Sequence, residues 1–262
     1  PVVLAVGEDA DLYASGAVTA GTLILGDDAA VKTGGKLTVK KTLEAQGNAD
    51  ITLTEKKGAS IKDTVTISGV PVSVRIQDKS GAIMTPAQNT VLFQVTGDSY
   101  AGQYESVGAG ETAQTLYRKG NTLRVLGAQQ IAAVLYDETA GVEDLGGYLS
   151  LADGTAEISR RKRKTAVYRV EVAQQQFIKG AFPMPAAKTY EKIIFSGEDI
   201  CLTGALKLTG ETEFENSLIR VKSESDATVC PLDVNLVGYK LRIRDGQALE
   251  PVGNVNGGKG SV

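Results

Sequence analysis

The chain has 262 residues and a formal net charge of −3, from 28 Lys and Arg against 31 Asp and Glu. This near balance argues against a nucleic-acid-binding protein that works through a strongly basic surface. Histidine and tryptophan are absent and only two cysteines occur, so imidazole catalysis is excluded and zinc sites are disfavoured. Thirty glycines and 5% aromatic residues favour a β-rich protein with a core of small aliphatic side chains.

A regular spacing marks the first seventy residues. Leu23, Leu37, Ile51 and Val65 are each fourteen residues apart, and each is followed two places later by another aliphatic residue. Because side chains at i and i+2 share a face of a β-strand, each pair predicts a short strand with one dry face. Charged or glycine-containing turns separate the pairs.

Repeated strands of this kind are stabilised by stacking on one another, which predicts a β-solenoid with a core of like aliphatic side chains. The four leading residues are then expected to line one common stack. Fourteen residues are few for a full coil, so we expect about 28 residues per coil. An antiparallel meander or sandwich would show a similar spacing and remains an alternative.

The spacing changes along the chain and predicts four regions of an all-β protein. We expect solenoid repeats over 1–70 and solenoid-like repeats over 189–250, where short aliphatic runs return between glycines. The stretch 71–188 is predicted to be β-rich and less regular, either sandwich-like or an irregular continuation of the solenoid. Glycines and asparagines over 251–262 are typical of a linker or tail.

Two stretches carry a resemblance to a class of known proteins. The cadence GTLILGDDAA, GKLTVKKTLEA, ADITLTEKKGA and DTVTISG over 21–69 resembles the β-helical segments of large bacterial cell-surface and adhesin-type proteins. The stretch 190–244 is similar in style. The resemblance implies a secreted or wall-exposed rod that presents or spaces other modules and has no catalytic activity of its own.

The sharpest local signal is a run of five consecutive cations, Arg160, Arg161, Lys162, Arg163 and Lys164. Such a run could attract sulfated glycans, teichoic-type polyanions or phosphate groups. A solvated loop is the simpler and favoured interpretation, and a protease-sensitive site is a further alternative. Because it lies between two strand-like runs, we expect it at a corner or hairpin tip open to water. No aromatic residue interrupts it, so base stacking is unsupported.

Acidic residues give weaker candidates. Asp9, Asp11, Asp27 and Asp28 could supply oxygen ligands to Ca²⁺, although the periodic glycine and aspartate signatures of calcium loops are missing and solvated turns account for them too. Further acids, Glu198, Asp199, Glu211, Glu213 and Glu215, could include the two carboxylates that a glycosidase needs.

The two cysteines, Cys201 and Cys230, lie 29 residues apart, close to twice the repeat spacing. If a coil takes about 28 residues, they could face each other on neighbouring coils and form a disulfide. The favoured interpretation is two buried free cysteines that act as small hydrophobic residues.

The leading functional prediction is a non-enzymatic, exported bacterial surface protein that acts as a structural stalk or an adhesin-type binding module. Its expected partner is a host or cell-wall polysaccharide or protein, and we expect no cofactor, no nucleic acid and no membrane insertion. One alternative is a carbohydrate-active enzyme, a polysaccharide lyase or a glycosidase on a β-helix. The other is a viral or phage fibre protein.

Overall fold

The computed structural model describes residues 2–223, 225–247, 249 and 252–257. The fold is all-β, and stacked parallel coils form a β-solenoid of about 12 turns. This confirms the predicted fold class. The chain divides into two compact units, Pro1–Gln130 and Ile131–Val262. Within the described residues, no helix is long and apolar enough to cross a membrane.

The first unit is built from short strands and one turn of 3-10 helix at Ala101–Gln103. Its strands are β1 (Val3–Val6), β2 (Asp11–Ala14), β3 (Val18–Leu25), β4 (Ala29–Thr33), β5 (Leu37–Ala45), β6 (Ala49–Thr54), β7 (Ala59–Thr66), β8 (Val72–Gln77), β9 (Ile83–Met84), β10 (Val91–Val95), β11 (Tyr104–Val107), β12 (Ala113–Gln114), β13 (Leu116–Lys119) and β14 (Thr122–Val125).

Two parallel ladders hold this unit together. One runs β1–β3–β5–β7–β10 and the other runs β2–β4–β6–β8–β11. Antiparallel pairs are added at its later coils, where β9 joins β8, β12 joins β11, and β13 and β14 extend from β10. Parallel stacking therefore continues past residue 70, although the predicted division of the chain into four regions remains a prediction.

Each early coil has three sides. Strands β3, β5 and β7 are each bent by a register shift, so each supplies two sides. Side 1 consists of residues 18–20, 37–39 and 59–61, and side 2 of residues 22–25, 42–45 and 63–66. Side 3 is formed by β4, β6 and β8. We name the corners by the sides they join: the 1–2, 2–3 and 3–1 corners.

The coil is shorter than predicted. On side 2, Leu23 pairs with Leu43, and on side 3, Val31 pairs with Ile51, so partners are twenty residues apart. The expectation of about 28 residues per coil was therefore wrong. These inward side chains are fully buried and form continuous aliphatic columns. Burying such a side chain contributes roughly 1.5–3 kcal/mol, which is how the stack stabilises strands that could not fold alone.

The four residues of the fourteen-residue spacing do not line one stack. Leu23 lies on side 2, Leu37 on side 1 and Ile51 on side 3, because fourteen residues are about two thirds of a coil and step through its three sides. Val65 returns to side 2 but points outward and is 49% exposed, while its neighbour Thr64 takes the buried position. The register pairs Leu43 with Thr64, which places Val65 on the outer face.

The second unit contains one helix, α1 (Leu151–Arg161), among its described residues. Its strands are β15 (Ala133–Asp137), β16 (Glu143–Tyr148), β17 (Val167–Val172), β18 (Gln176–Ile178), β19 (Lys192–Gly197), β20 (Ile200–Leu202), β21 (Leu206–Lys207), β22 (Glu211–Phe214), β23 (Leu218–Ser223), β24 (Asp226–Val229), β25 (Leu232–Asn235), β26 (Leu241–Ile243) and β27 (Val252–Asn256).

Three parallel ladders dominate this unit: β17–β19–β22–β26, β18–β20–β23 and β21–β25–β27. Antiparallel pairs join β15 to β16 and β17, and β23 to β24. Phe195 and Phe214 are paired in register and their rings stack at 5.0 Å, so this core uses aromatic rings where the first unit uses aliphatic columns. Strand β27 occupies part of the predicted tail, while residues 251 and 258–262 lie outside the described residues.

Candidate functional site

The predicted cationic run is only partly open to water. Arg160 and Arg161 end helix α1, which begins at the Ser150 N-cap, whose hydroxyl accepts a hydrogen bond from the Asp153 backbone N–H. Arg160 donates hydrogen bonds to both carboxylate oxygens of Glu157, and its Nε lies 2.8 Å from Glu157 Oε2. Arg161 is 8% exposed. The expectation of a solvated corner was wrong for these two residues, because they form the last turn of an amphipathic helix.

The remaining cations of the run are exposed. Lys162 closes the helix in a left-handed conformation, and Arg163 pairs with the buried carboxylate of Asp137 at 3.2 Å. Lys164 lies beyond them and is also exposed. Since the arginines are engaged by the protein, the run concentrates less free positive charge than its sequence suggests. It remains a candidate for polyanion binding only through its exposed members.

The calcium candidates lie at turns and on strand β2. The Asp27 carboxylate accepts a hydrogen bond from the Asn48 backbone N–H at 2.9 Å, and the Asp11 carboxylate accepts one from the Tyr13 hydroxyl at 3.1 Å. Asp9 and Asp28 adopt left-handed backbone conformations in their turns. Over the part of the chain that the structure describes, no three His, Cys, Asp or Glu side chains are grouped so that they could hold a metal ion.

The two cysteines are not joined. Cys201 is a buried free thiol on β20, where it pairs in register with Phe177 and Ile219. Cys230 is a partly exposed free thiol that follows β24. The disulfide alternative is wrong, because the residue in register with Cys201 on the next coil is Ile219, which is eighteen residues away and not 29. The interpretation as free cysteines is confirmed, with Cys201 buried and Cys230 partly exposed. Burial raises the pKa of the Cys201 thiol, which disfavours the reactive thiolate.

Two of the candidate glycosidase carboxylates belong to a network that we call the ion-pair ladder. It follows β17, β19, β22 and β26 in the second unit and consists of Glu138, Arg169, Lys192, Glu213, Glu215, Arg242 and Arg244.

Glu213 and Glu215 are each held by two cations of the ladder. Lys192 contacts Glu213 at 2.6 Å, with Arg242 at 4.0 Å. Arg169 hydrogen-bonds to Glu215, and that contact holds the pKa of the Glu215 carboxyl below its usual range. A general acid needs a raised pKa, so the Glu215 environment disfavours that role.

The first unit carries a different charged surface, which the sequence prediction missed. Six exposed lysines lie on two neighbouring coils, at the two corners that flank side 1. We call side 1 together with these two corners the lysine face. The 3–1 corner carries Lys36, Lys56 and Lys57, and the 1–2 corner carries Lys40, Lys41 and Lys62.

Hydroxyl groups line the middle of the lysine face. Thr38 on β5 and Ser60 on β7 point outward from side 1 and are paired in register. Thr19 and Gln94 extend the same row onto the coils on either side. Hydroxyl and amide groups can donate and accept hydrogen bonds, so this row offers polar contacts between the two groups of cations.

The lysines of this face are weakly held by protein carboxylates. Glu55 approaches Lys56 at 4.0 Å and Asp63 approaches Lys62 at 3.9 Å, and both lysine side chains are more than half exposed. Exposed pairs of this kind contribute about 0–1 kcal/mol, so they do not fix the lysines in place. The positive charge of the face therefore remains open to an external anion.

Charge is separated by corner in this unit. The sequence from Lys32 to Lys62 contains seven lysines and three acids, whereas residues 1–31 contain five acids and no lysine or arginine. Asp27 and Asp28 follow side 2 and lie at the 2–3 corner, the corner that does not touch side 1. The acidic turns therefore lie away from the lysine face, although the chain as a whole is negative.

A cavity of about 490 Å³ adjoins the 3–1 corner. Its lining includes all three lysines of that corner and one acid, Glu55, together with Thr54, Gln94 and the buried side chain of Leu92. Cations and polar groups thus surround a recess with an apolar floor. This combination could accept an anionic ligand that also presents a less polar surface.

A sequence signal for the lysine face existed, but it needed the correct coil length. With a coil of about 20 residues, Lys36 falls at the same corner as Lys56 and Lys57, and Lys40 and Lys41 fall opposite Lys62. With the fourteen-residue spacing, these residues scatter over the coil. Only the five consecutive cations at 160–164 were therefore visible as a cluster.

Comparison with protein-family models, curated proteins and solved structures finds no match to this chain.

Proposed function

We propose that this chain is a non-enzymatic β-solenoid module that binds an acidic polysaccharide through the lysine face. The observation that carries the proposal is the placement of six weakly paired lysines around a hydroxyl-lined sheet face. Opposite charge attracts the polymer, and the hydroxyl row supplies hydrogen bonds to its sugar units. The rigid parallel stack holds the cations in fixed positions, which reduces the entropic cost of binding.

An exported bacterial surface protein is the setting that we propose for this activity. The resemblance of 21–69 and 190–244 to β-helical segments of surface and adhesin-type proteins supports this setting. Host and cell-wall polymers include many acidic polysaccharides, so a lysine-bearing solenoid suits either an adhesin-type module or a stalk that holds to the wall. Nucleic acid is a less suitable partner, because no aromatic side chain accompanies the six lysines for base stacking.

The proposal is tested by measuring the binding of the purified chain to polygalacturonate, heparin and uncharged dextran by isothermal titration calorimetry. We expect binding to the acidic polymers that weakens steeply as salt is raised, and no binding to dextran. Replacing all six lysines of the face by Gln should abolish the binding. Replacing the three lysines of either corner alone should weaken it. The control variant Lys207→Gln/Lys222→Gln/Lys240→Gln loses the same charge as one corner, from exposed positions of the second unit, and should retain the binding.

Product formation is measured in the same samples. Release of reducing ends or unsaturated sugars from an acidic polymer would overturn the non-enzymatic part of the proposal. Equal binding of dextran, or full binding by the six-lysine variant, would overturn the assignment of the lysine face.

A further inference from the structure

We infer that the acidic polysaccharide lies along strands β5 and β7, across the solenoid axis, and is held at both corners of the lysine face at once. This inference rests on the proposed function and adds the orientation and minimum length of the ligand. Three observations support it. The cations lie at the two corners that flank side 1, polar residues lie between them, and the neighbouring coils lack lysines at these corners.

The two corners are far apart along the strands and close together between coils. Lys36 and Lys40 are four residues apart on one coil, and Lys57 and Lys62 are five residues apart on the next. At about 3.3 Å per residue, the corners are separated by roughly 13–17 Å, whereas neighbouring coils are only about 4.8 Å apart. The cationic surface is therefore long in the strand direction and short along the axis.

Salt screening makes the two corners separate sites for a small anion. At physiological ionic strength, interactions between exposed charges are largely screened beyond about 8 Å. A short acidic sugar bound at the 3–1 corner would therefore gain little from the lysines of the 1–2 corner. A longer chain that reaches both corners gains from each, because the second contact becomes intramolecular.

The neighbouring coils explain why the chain does not follow the solenoid axis. Lysines occur at these corners on the β5 and β7 coils, whereas the neighbouring corners carry Ala17 and Gly21 beside side 1 of β3 and Thr96 after β10. A chain laid along the axis would leave the cations after two coils and would meet only one corner. A chain laid along the strands meets both corners and passes over Thr38 and Ser60.

The experiment is a length series of oligogalacturonides, measured by calorimetry at fixed salt with the full chain. We expect affinity to rise by at least about 10-fold over a narrow range of lengths, where the oligomer first spans both corners. Two variants test the geometry: Lys36→Gln/Lys56→Gln/Lys57→Gln removes one corner, and Lys40→Gln/Lys41→Gln/Lys62→Gln removes the other. Each should abolish the step while short oligomers still bind the remaining corner.

Matched controls separate charge from position. The triple variant Lys207→Gln/Lys222→Gln/Lys240→Gln loses the same charge from exposed positions in the second unit and should keep the step. The double variant Thr38→Val/Ser60→Ala should weaken the binding of long oligogalacturonides more than the binding of polyphosphate, because sugar hydroxyls both donate to and accept from the hydroxyl row whereas phosphate oxygens only accept. Circular dichroism checks that each variant is folded.

The outcomes distinguish the inference from the proposed function. A smooth rise of affinity with length, or a step that survives the loss of one corner, would overturn the orientation while acidic-polymer binding stands. Polyphosphate or single-stranded DNA binding as tightly as oligogalacturonide of equal charge would overturn the polysaccharide class. Absence of binding to any acidic oligomer would overturn the proposed function itself.

Discussion

The two units use charged side chains in opposite ways. On the lysine face of the first unit, cations stand next to cations across neighbouring coils, and their acids lie at the edge of the face or at another corner. On the ion-pair ladder of the second unit, Arg169 lies between Glu138 and Glu215, and Lys192 contacts Glu213. Both surfaces are outer faces of parallel sheets.

Register accounts for this difference. A parallel stack brings residues one coil apart into contact, so the sign of the residue in register decides whether charges attract or repel. In the second unit, acids occur opposite and diagonal to the cation: Lys192 pairs in register with Glu211 and contacts Glu213 two places along the same strand. A ladder of alternating sign stabilises its own fold, whereas a face of one sign is better suited to an external partner.

The largest predicted change in the free energy of unfolding concerns the buried aliphatic columns of the first unit, the unit that carries the lysine face. Leu43→Ala removes a fully buried side chain between Leu23 and Thr64 and should lower the free energy of unfolding by about 2–5 kcal/mol. Val65→Ala, at a position of the fourteen-residue spacing that proves exposed, should change it by less than about 0.5 kcal/mol. Urea denaturation measures both. Equal losses would contradict the observed register of side 2.

The next effect concerns the ion-pair ladder. Arg169→Gln takes the shared cation from two partly buried carboxylates, Glu138 and Glu215, and should lower the free energy of unfolding by about 1–3 kcal/mol. Arg242→Gln is the control, because that side chain is 74% exposed and only 4.0 Å from Glu213, and it should cost less than about 0.5 kcal/mol. If Arg169→Gln were neutral, the contrast between the two charged surfaces would be lost.

The same variant should show a defined pH dependence. Arg169 lowers the pKa of Glu215 in the folded protein, chiefly through its hydrogen bond. A depressed carboxyl pKa stabilises the fold above the unfolded value, near 4.5, and this stabilisation is lost as pH falls through the folded pKa. The difference in unfolding free energy between wild type and Arg169→Gln should therefore be largest near pH 7 and shrink below pH 4.5. A difference independent of pH would assign the effect to packing.

The sequence was sufficient for the fold class and for many strands. Residues 72–76 and 167–172 alternate apolar and polar side chains and fall within β8 and β17, because period-two alternation depends only on local geometry. The sequence was insufficient for the stacking register. A coil of about 20 residues has three sides, and similar aliphatic pairs on different sides happen to recur every fourteen residues. The register, and not the strands, determines which charged residues become neighbours.

Helix α1 shows a second limit of the same kind. Ser150 and Asp153 form the capping pattern that marks a helix start, so the signal was present in the sequence. The β-rich surroundings and the cationic run led instead to the prediction of a loop. The burial of Arg161 against the tertiary structure could not be read from a run of like charges, because burial depends on what packs against the helix.

The smallest predicted change in the free energy of unfolding is a rise, whereas removing a cation from the ion-pair ladder should lower it. Lys36→Gln removes one cation from beside Lys56 and Lys57, and relief of repulsion should raise the free energy of unfolding by about 0.2–0.5 kcal/mol at low salt. The gain should vanish at high salt, where exposed charges are screened. Lys207→Gln, at an exposed position of the second unit, is the control and should show no such gain. Destabilisation by Lys36→Gln would mean that the lysine has a structural partner, and the face would then resemble the ion-pair ladder in stabilising its own fold.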